Sequence, residues 1–338
     1  MNQSNASLPP IRIGILGTAR INRLAILGPA RRIAGVVVAA VASRSPERAA
    51  RYARRTGIPK HYGSYAAPID DPEIDLIYNS LPNSLHAEWS IRALEAGKHV
   101  LCEKPLAANA DEAAHLARVA DRSGRMLIEA FHYRYHPLAR RIKEIVTGGE
   151  LGNLRTIETA FCIFVPGKGD IRFSYDLAGG ATMDLGCYVV NLCRYLAEEE
   201  PVVTSASARL MVPQIDRWMT AELAFPKGVM ARITVSLRSP FWKWRAHLRV
   251  TGDRGTMYAF NPFLPQFCNF IRVRTEGGGY FERATMSRTT YGCQLEAVAS
   301  AIRSGVPLPT NATDSIANAK VLDAIYRQAG LRPRGIAE

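Results

Sequence analysis

Over the first 130 residues, short apolar runs alternate with segments whose apolar positions recur at helical spacing. Ile11–Leu16, Val36–Ser43, Leu76–Ser80, His99–Cys102 and Met126–Ala130 are too short for helices and are expected as strands. The intervening segments carry helix signals. Ser45 followed by Pro46 reads as an N-cap with proline at the first helical position, and Gly57 closes that segment. His86–Ala96 is apolar at Ile91 and Leu94 with Gly97 as a stop, and Asn109 caps Ala110–Ser123 ahead of Gly124. A repeated β-α-β unit predicts an α/β fold, with a Rossmann-type, doubly wound parallel sheet over residues 11–130.

Near Gly148–Gly152 the period changes from helical to two. Val229, Ala231, Ile233, Val235 and Leu237 fall on one face of a strand, and Met230, Arg232, Thr234, Ser236 and Arg238 on the other. Met219, Ala221, Leu223 and Phe225 repeat the pattern, with Pro226-Lys227-Gly228 as the hairpin turn. Further strands are expected at Ile157–Val165, Val202–Leu210, Leu248–Val250 and Phe267–Arg274, and helices at Tyr291–Arg303 and Ser315–Gln328. Residues 131–338 are thus expected as a C-terminal α+β domain with a large open, mostly antiparallel sheet, whose final helix can return to the first domain. Residues 1–10 form a short arm. A broad sheet with helices on one side needs cover on the other, so a homo-oligomer, dimer or tetramer, is expected through that sheet.

Composition narrows the class without naming a function. With 338 residues, 47% of them hydrophobic and 22% charged, the chain has enough material for two soluble cores. The net charge of +13 raises nucleic acid as a partner, but the basic residues are spread from end to end. Arg51, Arg54 and Arg55 come nearest to a cluster, and helical spacing places them mostly on a solvated face. No nucleic acid is expected; attraction of an anionic cofactor is the milder use of the same field. Met1–Pro10 is polar and lacks the basic and apolar regions of a signal peptide, and no run approaches the ~18 apolar residues of a membrane span, so a cytoplasmic protein is expected. Cys102, Cys162, Cys187, Cys193, Cys268 and Cys293 show no paired or zinc-type spacing and read as reduced thiols.

Candidate chemistry collects at the ends of the expected strands. The first strand runs into Gly17-Thr18-Ala19-Arg20-Ile21-Asn22, the place of a Gly-x-Gly-x-x-Gly turn, with only the first glycine kept. Ala19 still lets the backbone approach a pyrophosphate; Asn22 implies looser helix packing or a local adjustment. The second strand ends at Ser43-Arg44 without the acidic residue that holds the ribose of NAD. A serine and a guanidinium suit a 2′-phosphate, which favours NADP with NAD still possible.

Leu81-Pro82-Asn83 and His86 follow the third long strand at the sheet edge where ligands bind. Glu103-Lys104-Pro105 follows the next one at the same edge. Further on, Gly179 and Gly180 open a helix that carries Asp184 and Tyr188 at i and i+4, on one face. A cation, a carboxylate and a phenol suit proton transfer at a hydroxyl, with Lys104 bringing the phenol towards working pH. His132 and His136 are four apart, but no His-Glu-x-x-His motif is present and Pro137 interrupts the helix, so no metal is expected. Tyr133, Arg134 and His136 are expected to line the substrate pocket instead.

Together Leu81–His86, Ala96–Leu106, Glu129–Pro137 and Gly179–Tyr188 resemble the Gfo/Idh/MocA oxidoreductase family, and the resemblance covers nearly the whole chain after Pro10. It implies an N-terminal Rossmann domain, a C-terminal domain whose open sheet serves oligomer contacts, and a catalytic lysine at Lys104 with Asp184 and Tyr188 as its partners. Many members of the family carry histidine where this chain has Tyr188. In that respect it is similar to glucose-fructose oxidoreductase, dimeric dihydrodiol dehydrogenase and NADP-dependent aldose dehydrogenases. The short arm before Ile11 implies an exchangeable cofactor. The implied reaction is hydride transfer between nicotinamide and a sugar, polyol, keto-sugar or dihydrodiol. Relatives that cleave glycosides through transient oxidation, and relatives that only sense sugars, leave two alternatives open. Retention of Lys104, Asp184 and Tyr188 together argues against the sensor.

Overall fold

The computed structural model describes residues 9–167, 169–240 and 245–335. Six strands form the first sheet: β1 Ile11–Leu16, β2 Val36–Ala42, β3 Lys60–Tyr62, β4 Leu76–Asn79, β5 His99–Cys102 and β6 Leu127–Glu129. All pair in parallel, in the order β3-β2-β1-β4-β5-β6. The order reverses between β1 and β4, which opens a crevice at the carboxyl ends of those two strands. The three-residue β3 escaped sequence reading because Lys60, His61 and Tyr62 at the sheet edge show no apolar run.

Five helices connect these strands: α1 Gly28–Ala30, α2 Pro46–Thr56, α3 Ala66–Asp70, α4 His86–Glu95 and α5 Ala110–Ser123. Ser45 caps α2 by accepting from the Arg48 amide, and Gly57 ends it with φ of 75°. Asn109 caps α5 through the Glu112 amide, and Gly124 ends it with φ of 64°. The expected adjustment at Asn22 takes a definite form. A turn of π-helix, Arg23–Leu27, precedes α1, and the fully buried Asn22 donates from Nδ2 to the Gly17 carbonyl at 2.9 Å.

The second sheet holds β7 Leu154–Cys162, β8 Val202–Val212, β9 Ile215–Ala224, β10 Met230–Ser236, β11 Arg245–Gly252, β12 Gly255–Phe260, β13 Phe270–Thr275 and β14 Gly278–Glu282, in the order β14-β13-β12-β11-β7-β10-β9-β8. The period-two reading of β10 holds: Ala231, Ile233 and Val235 are buried and Met230 is exposed. Gly228, with φ of 85°, closes the β9–β10 hairpin, where the Phe225 amide donates to Val229 at 2.9 Å. The sheet is mixed, since β7 and β10 run parallel while the other pairs are antiparallel. The meander β8–β9–β10 brings the chain back beside β7 in its own direction. β12 and β14 carried too few alternating apolar positions to be seen in the sequence.

Helices α6 Pro137–Thr147 and α7 Cys187–Ala197 cover one face of this sheet, in a core that includes Ile142, Val189, Ile233 and Leu248. α8 Thr290–Ser304 leaves that sheet. Its Tyr291, Leu295, Val298 and Ala299 pack with Ile11, Ile13, Ile26 and Tyr78 of the first. α9 Ala312–Gln328 lies against α5, α7 and β8 and so ties the two halves together. Among the described residues no helix is long and apolar enough to cross a membrane.

The end of the described chain is bound into the core. Arg334 is fully buried, donates from Nε to the Gly179 carbonyl at 2.7 Å and pairs through Nη2 with Asp216 at 3.2 Å. Asp216 in turn accepts from the Thr182 amide and hydroxyl, each at 2.7 Å, and from Tyr326 at 3.1 Å. One carboxylate therefore fixes the Gly179–Thr182 turn.

At the end of β6, Glu129 is 2% exposed and accepts from the Leu106 amide at 2.9 Å. Burial pushes its carboxyl up to about 7 from an ordinary 4.5. A raised folded-state pKa means that stability is full below pH ~4.5 and falls as the unfolded chain ionises, levelling off above pH 7, by about 3 kcal/mol in all. Denaturant midpoints at pH 5 and pH 8 should show that fall in the wild type and not in Glu129→Gln.

Candidate active site

A cavity of about 600 Å³ opens where β1, β4 and β5 end and where α7 begins, a size within the ~300–1,000 Å³ typical of small-molecule sites. Ala19, Arg20, Ile21, Ser80, Leu81, Asn83, His86, Glu103 and Lys104 reach it from the first sheet. From the other half come Asp184 and Tyr188, joined by Phe161, Arg172 and Phe263. Lys104, Asp184 and Tyr188, singled out in the sequence, thus meet in one chamber.

The turn after β1 fits a pyrophosphate. Gly17 has φ of 92°, and a β-carbon there would lie 3.2 Å from Leu81 Cδ2 and 3.5 Å from the Ser80 carbonyl. A side chain would fill the turn that a phosphate must approach. Thr18 is half-buried beside it, Arg20 is exposed, and Ser43 and the exposed Arg44 stand at the end of the neighbouring β2. Pro82 precedes a 3-10 turn, Asn83–Leu85, and Asn83 donates to the Ala178 carbonyl at 2.9 Å, bridging the two halves at the cavity rim. His86 is fully buried, with Nδ1 at 2.7 Å from the Pro105 carbonyl and Nε2 at 2.8 Å from that of Leu81. Burial pushes its pKa down to about 4, and the neutral ring has a single N–H to donate to one of these two carbonyls.

The Lys104 ammonium donates at 2.8 Å to both the Asp184 carbonyl and Oδ1. Arg172 donates to the other carboxylate oxygen at 2.7 Å and also binds Asp170. Burial works against a charged Asp184, yet the two cations outweigh it and hold the carboxyl at about 2. Burial likewise opposes the Lys104 charge, and Asp184 reverses the balance, so its pKa is raised. Gly180, with φ of 125°, and Gly179 make the turn possible: β-carbons there would meet Asp216 Oδ1 at 2.2 Å and the Arg172 carbonyl at 2.5 Å. Asp184 stands in a turn of π-helix, Thr182–Gly186, that runs into α7.

Tyr188 is 5% exposed and packed against the rings of Phe131, Phe161 and Phe263. Its hydroxyl lies 2.8 Å from His132 Nε2. Burial pushes the phenol well above its ordinary 10, with Tyr291, Glu103, Cys187 and Asp184 adding to the rise. This corrects the expected effect of Lys104, whose ammonium is engaged by Asp184 and stands 5.1 Å from the centre of the Tyr188 ring. Glu103 accepts from Tyr78, and burial raises its pKa.

Tyr133, Arg134 and His136 do not line the cavity as expected. Tyr133 is fully buried and donates to Asn191 at 2.7 Å; Arg134 lies over the Tyr195 ring at 3.9 Å and near Asp314. His136 caps α6 through Nδ1 and the Leu138 amide, with Nε2 at 3.2 Å from the Arg288 carbonyl. The 3-10 turn His132–Tyr135 is responsible, because it swings His132 into the cavity and its neighbours away. His132 was noticed only as half of a poor metal spacing. Arg172 and Tyr291 had no local motif at all.

Comparison with known proteins agrees with this geometry. Residues 11–131 match a family model described as the GFO/IDH/MocA oxidoreductase family with NAD-binding Rossmann fold, and residues 139–258 match its C-terminal domain. D-xylose 1-dehydrogenase (NADP(+)) 2 of Haloferax volcanii is 36% identical over 94% of this chain and 96% of its own. An aldose-aldose oxidoreductase of Caulobacter crescentus, solved with glycerol, superposes with a TM-score of 0.87 at 27% identity over 95% of this chain and 98% of its own. A 3-ketoreductase of Actinomadura kijaniata, solved with NADP and TDP-benzene, superposes with a TM-score of 0.86 at 28% identity over 96% and 98%. With a phosphate-ready turn, a buried lysine–carboxylate pair and a phenol in one chamber, and with both halves matched, the chain belongs to the GFO/IDH/MocA oxidoreductase family.

Proposed function

We propose that this protein is an NADP-preferring dehydrogenase or reductase acting on a CH–OH group of a sugar, polyol, keto-sugar or dihydrodiol, with Tyr188 as its acid/base. The observation that carries the reading is the meeting of Lys104, Asp184 and Tyr188 in a cavity that continues to the Gly17 turn. When bound, nicotinamide gives or accepts the hydride. Tyr188 holds the proton that the substrate oxygen gains or loses, and Lys104, fixed by Asp184 and Arg172, presents positive charge to that oxygen. Phe161 and Phe263 pack as a stacked pair against this centre and restrict water. The Actinomadura ketoreductase has also been solved with a lysine and a tyrosine substituted, the same number of residues apart as Lys104 and Tyr188.

Arg44 supports NADP over NAD, since a guanidinium beside the β2 end answers a 2′-phosphate with a bidentate, charged contact. Arg44→Ala should raise the KM for NADP by about tenfold or more, the ~1.5–3 kcal/mol of a charge-assisted hydrogen bond, and leave that for NAD within twofold. Steady-state kinetics with both nucleotides checks this.

The outer face of the second sheet carries stacked Phe260, Phe270 and Phe281 together with exposed arginines, and suits a second copy of the chain. A cytoplasmic setting, where thiols stay reduced, suits the six free cysteines. The proposed activity is tested by nicotinamide absorbance with NADP or NAD and a panel of aldoses, polyols and dihydrodiols that includes D-xylose. A substrate-dependent rise, lost by a factor of ~10² or more in Tyr188→Phe, is expected. Unchanged turnover in that variant would refute the tyrosine role.

A further inference from the structure

Among the described residues the phenol of Tyr188 has one hydrogen-bond partner, His132 Nε2 at 2.8 Å. That bond can run in either direction. If the phenol donates to Nε2, its proton is withheld from substrate; if Nε2–H donates to the phenol oxygen, the proton is free to point into the cavity.

The other ring nitrogen decides between them. His132 is 1% exposed, and its Nδ1 has no hydrogen-bond partner among the described residues. The ring lies instead against Tyr291, with centroids 4.0 Å apart. A buried N–H left unpaired costs more than an unpaired lone pair, because orphaned donors are the rarer and more strictly avoided case. The proton therefore belongs on Nε2, where it has an acceptor. Burial and the nearby Lys104 and His136 push the imidazole down to about 3, which removes the doubly protonated form at working pH.

We propose that His132 is a fixed neutral donor that holds Tyr188 by an Nε2–H···O bond, leaves the phenol proton for substrate and stabilises the phenolate once that proton has gone. The inference rests on the reading of Tyr188 as acid/base. It supplies the stabilisation that Lys104, bound to Asp184, does not give the phenol oxygen directly. His132 acts through Tyr188 and is a positioning residue. In the reductive direction the O–H bond of Tyr188 breaks and its proton forms the new bond to the substrate carbonyl oxygen, while the carbonyl carbon would receive the hydride that reduced nicotinamide supplies when bound. The phenolate left behind keeps the Nε2–H bond and regains its proton from solvent, since the N–H of a neutral imidazole is far less acidic than a phenol. In oxidation the same bond favours phenolate and lowers the pH at which Tyr188 becomes a base.

Among the described residues, the ionisable groups facing Tyr188 are Glu103 and Lys104 after β5, Asp184 and Cys187 on its own helical segment, Tyr133 and His132 in the 3-10 turn before α6, and Tyr291 on α8. Of these only His132 contacts the phenol oxygen, so its removal has a specific signature. His132→Phe removes the donor and keeps the ring. His132→Gln keeps an N–H near the Nε2 position.

The first test is ¹⁵N NMR of the full-length protein labelled at histidine, with the His132 signals assigned by their absence from His132→Gln. An unprotonated Nδ1 and a protonated Nε2, unchanged from pH 6 to 9, are expected. A protonated Nδ1, or a signal that titrates in that range, overturns the proposal. The second test is the pH profile of kcat for oxidation, with D-xylose and NADP as probe. In His132→Phe the acid limb should move at least one pH unit upward, a tenfold loss at a fixed pH on that limb, with KM within threefold of wild type, and His132→Gln should restore most of the shift. A profile in His132→Phe that superposes on the wild type after scaling is the outcome of a merely packing role and overturns the proposal while leaving Tyr188 intact as acid/base. Retained turnover in Tyr188→Phe removes both.

Discussion

Lys104→Met should lose at least ~10³ in kcat while binding NADP with nearly unchanged affinity. The Lys104 side chain is 13% exposed, and its ammonium is bonded at 2.8 Å to Asp184 and stands over the ring of Tyr188. A preorganised cation in a water-poor chamber acts on charge as it develops on the substrate oxygen, and removal of a single donor of this kind costs ~10²–10³. Here the loss is larger because methionine also leaves the Asp184 carboxylate buried with only Arg172 beside it. That second effect has its own sign. Without Lys104 the Asp184 carboxyl rises from about 2, so the variant should lose stability at neutral pH relative to acid. Nucleotide titration by fluorescence and single-turnover kinetics separate the intact cofactor site from the lost chemistry.

The second large effect lies away from the cavity. Arg334→Met should destabilise the protein by ~3–5 kcal/mol, because it strands Asp216 as an uncompensated charge in the core. Both side chains are 0% exposed. The same variant frees the Gly179 carbonyl and loosens the turn that delivers Asp184, so activity should fall below what the folded fraction explains. Adding Asp216→Leu should recover part of the stability by removing the stranded charge, and no activity, since the Thr182 amide then has no acceptor. Urea denaturation of the single and double variants measures the first claim, and kcat per folded molecule the second.

How much of this was legible in the sequence differs between local and long-range features. The first sheet was readable because each strand is an uninterrupted apolar run closed by a capped helix, as with Ser45 and Asn109. Lys104, Asp184 and Tyr188 were readable because proline and glycine mark the turns that present them. The pocket wall was not. His132, Tyr133, Arg134 and His136 sit in one short segment, and which of them faces the cavity depends on a 3-10 turn that leaves no periodic trace. Arg172 reaches Asp184 from a loop, and Phe263 reaches Tyr188 from the segment after β12, contacts set by tertiary packing alone. The parallel β7–β10 pair was hidden for the same reason, since alternation gives a strand its face and not its direction.

The central claim, direct hydride exchange between a carbon-bound hydrogen of the substrate and nicotinamide in this cavity, is tested most directly by isotope transfer. D-Xylose and the other aldoses of the panel, deuterated at C1, would be incubated with NADP and the protein, and the reduced nucleotide examined by mass spectrometry. One deuterium in NADPH for each substrate oxidised is expected in the wild type, and none in Lys104→Met. Reduced nucleotide without deuterium, substrate consumed without net reduced nucleotide, or equal transfer by Lys104→Met would contradict the claim.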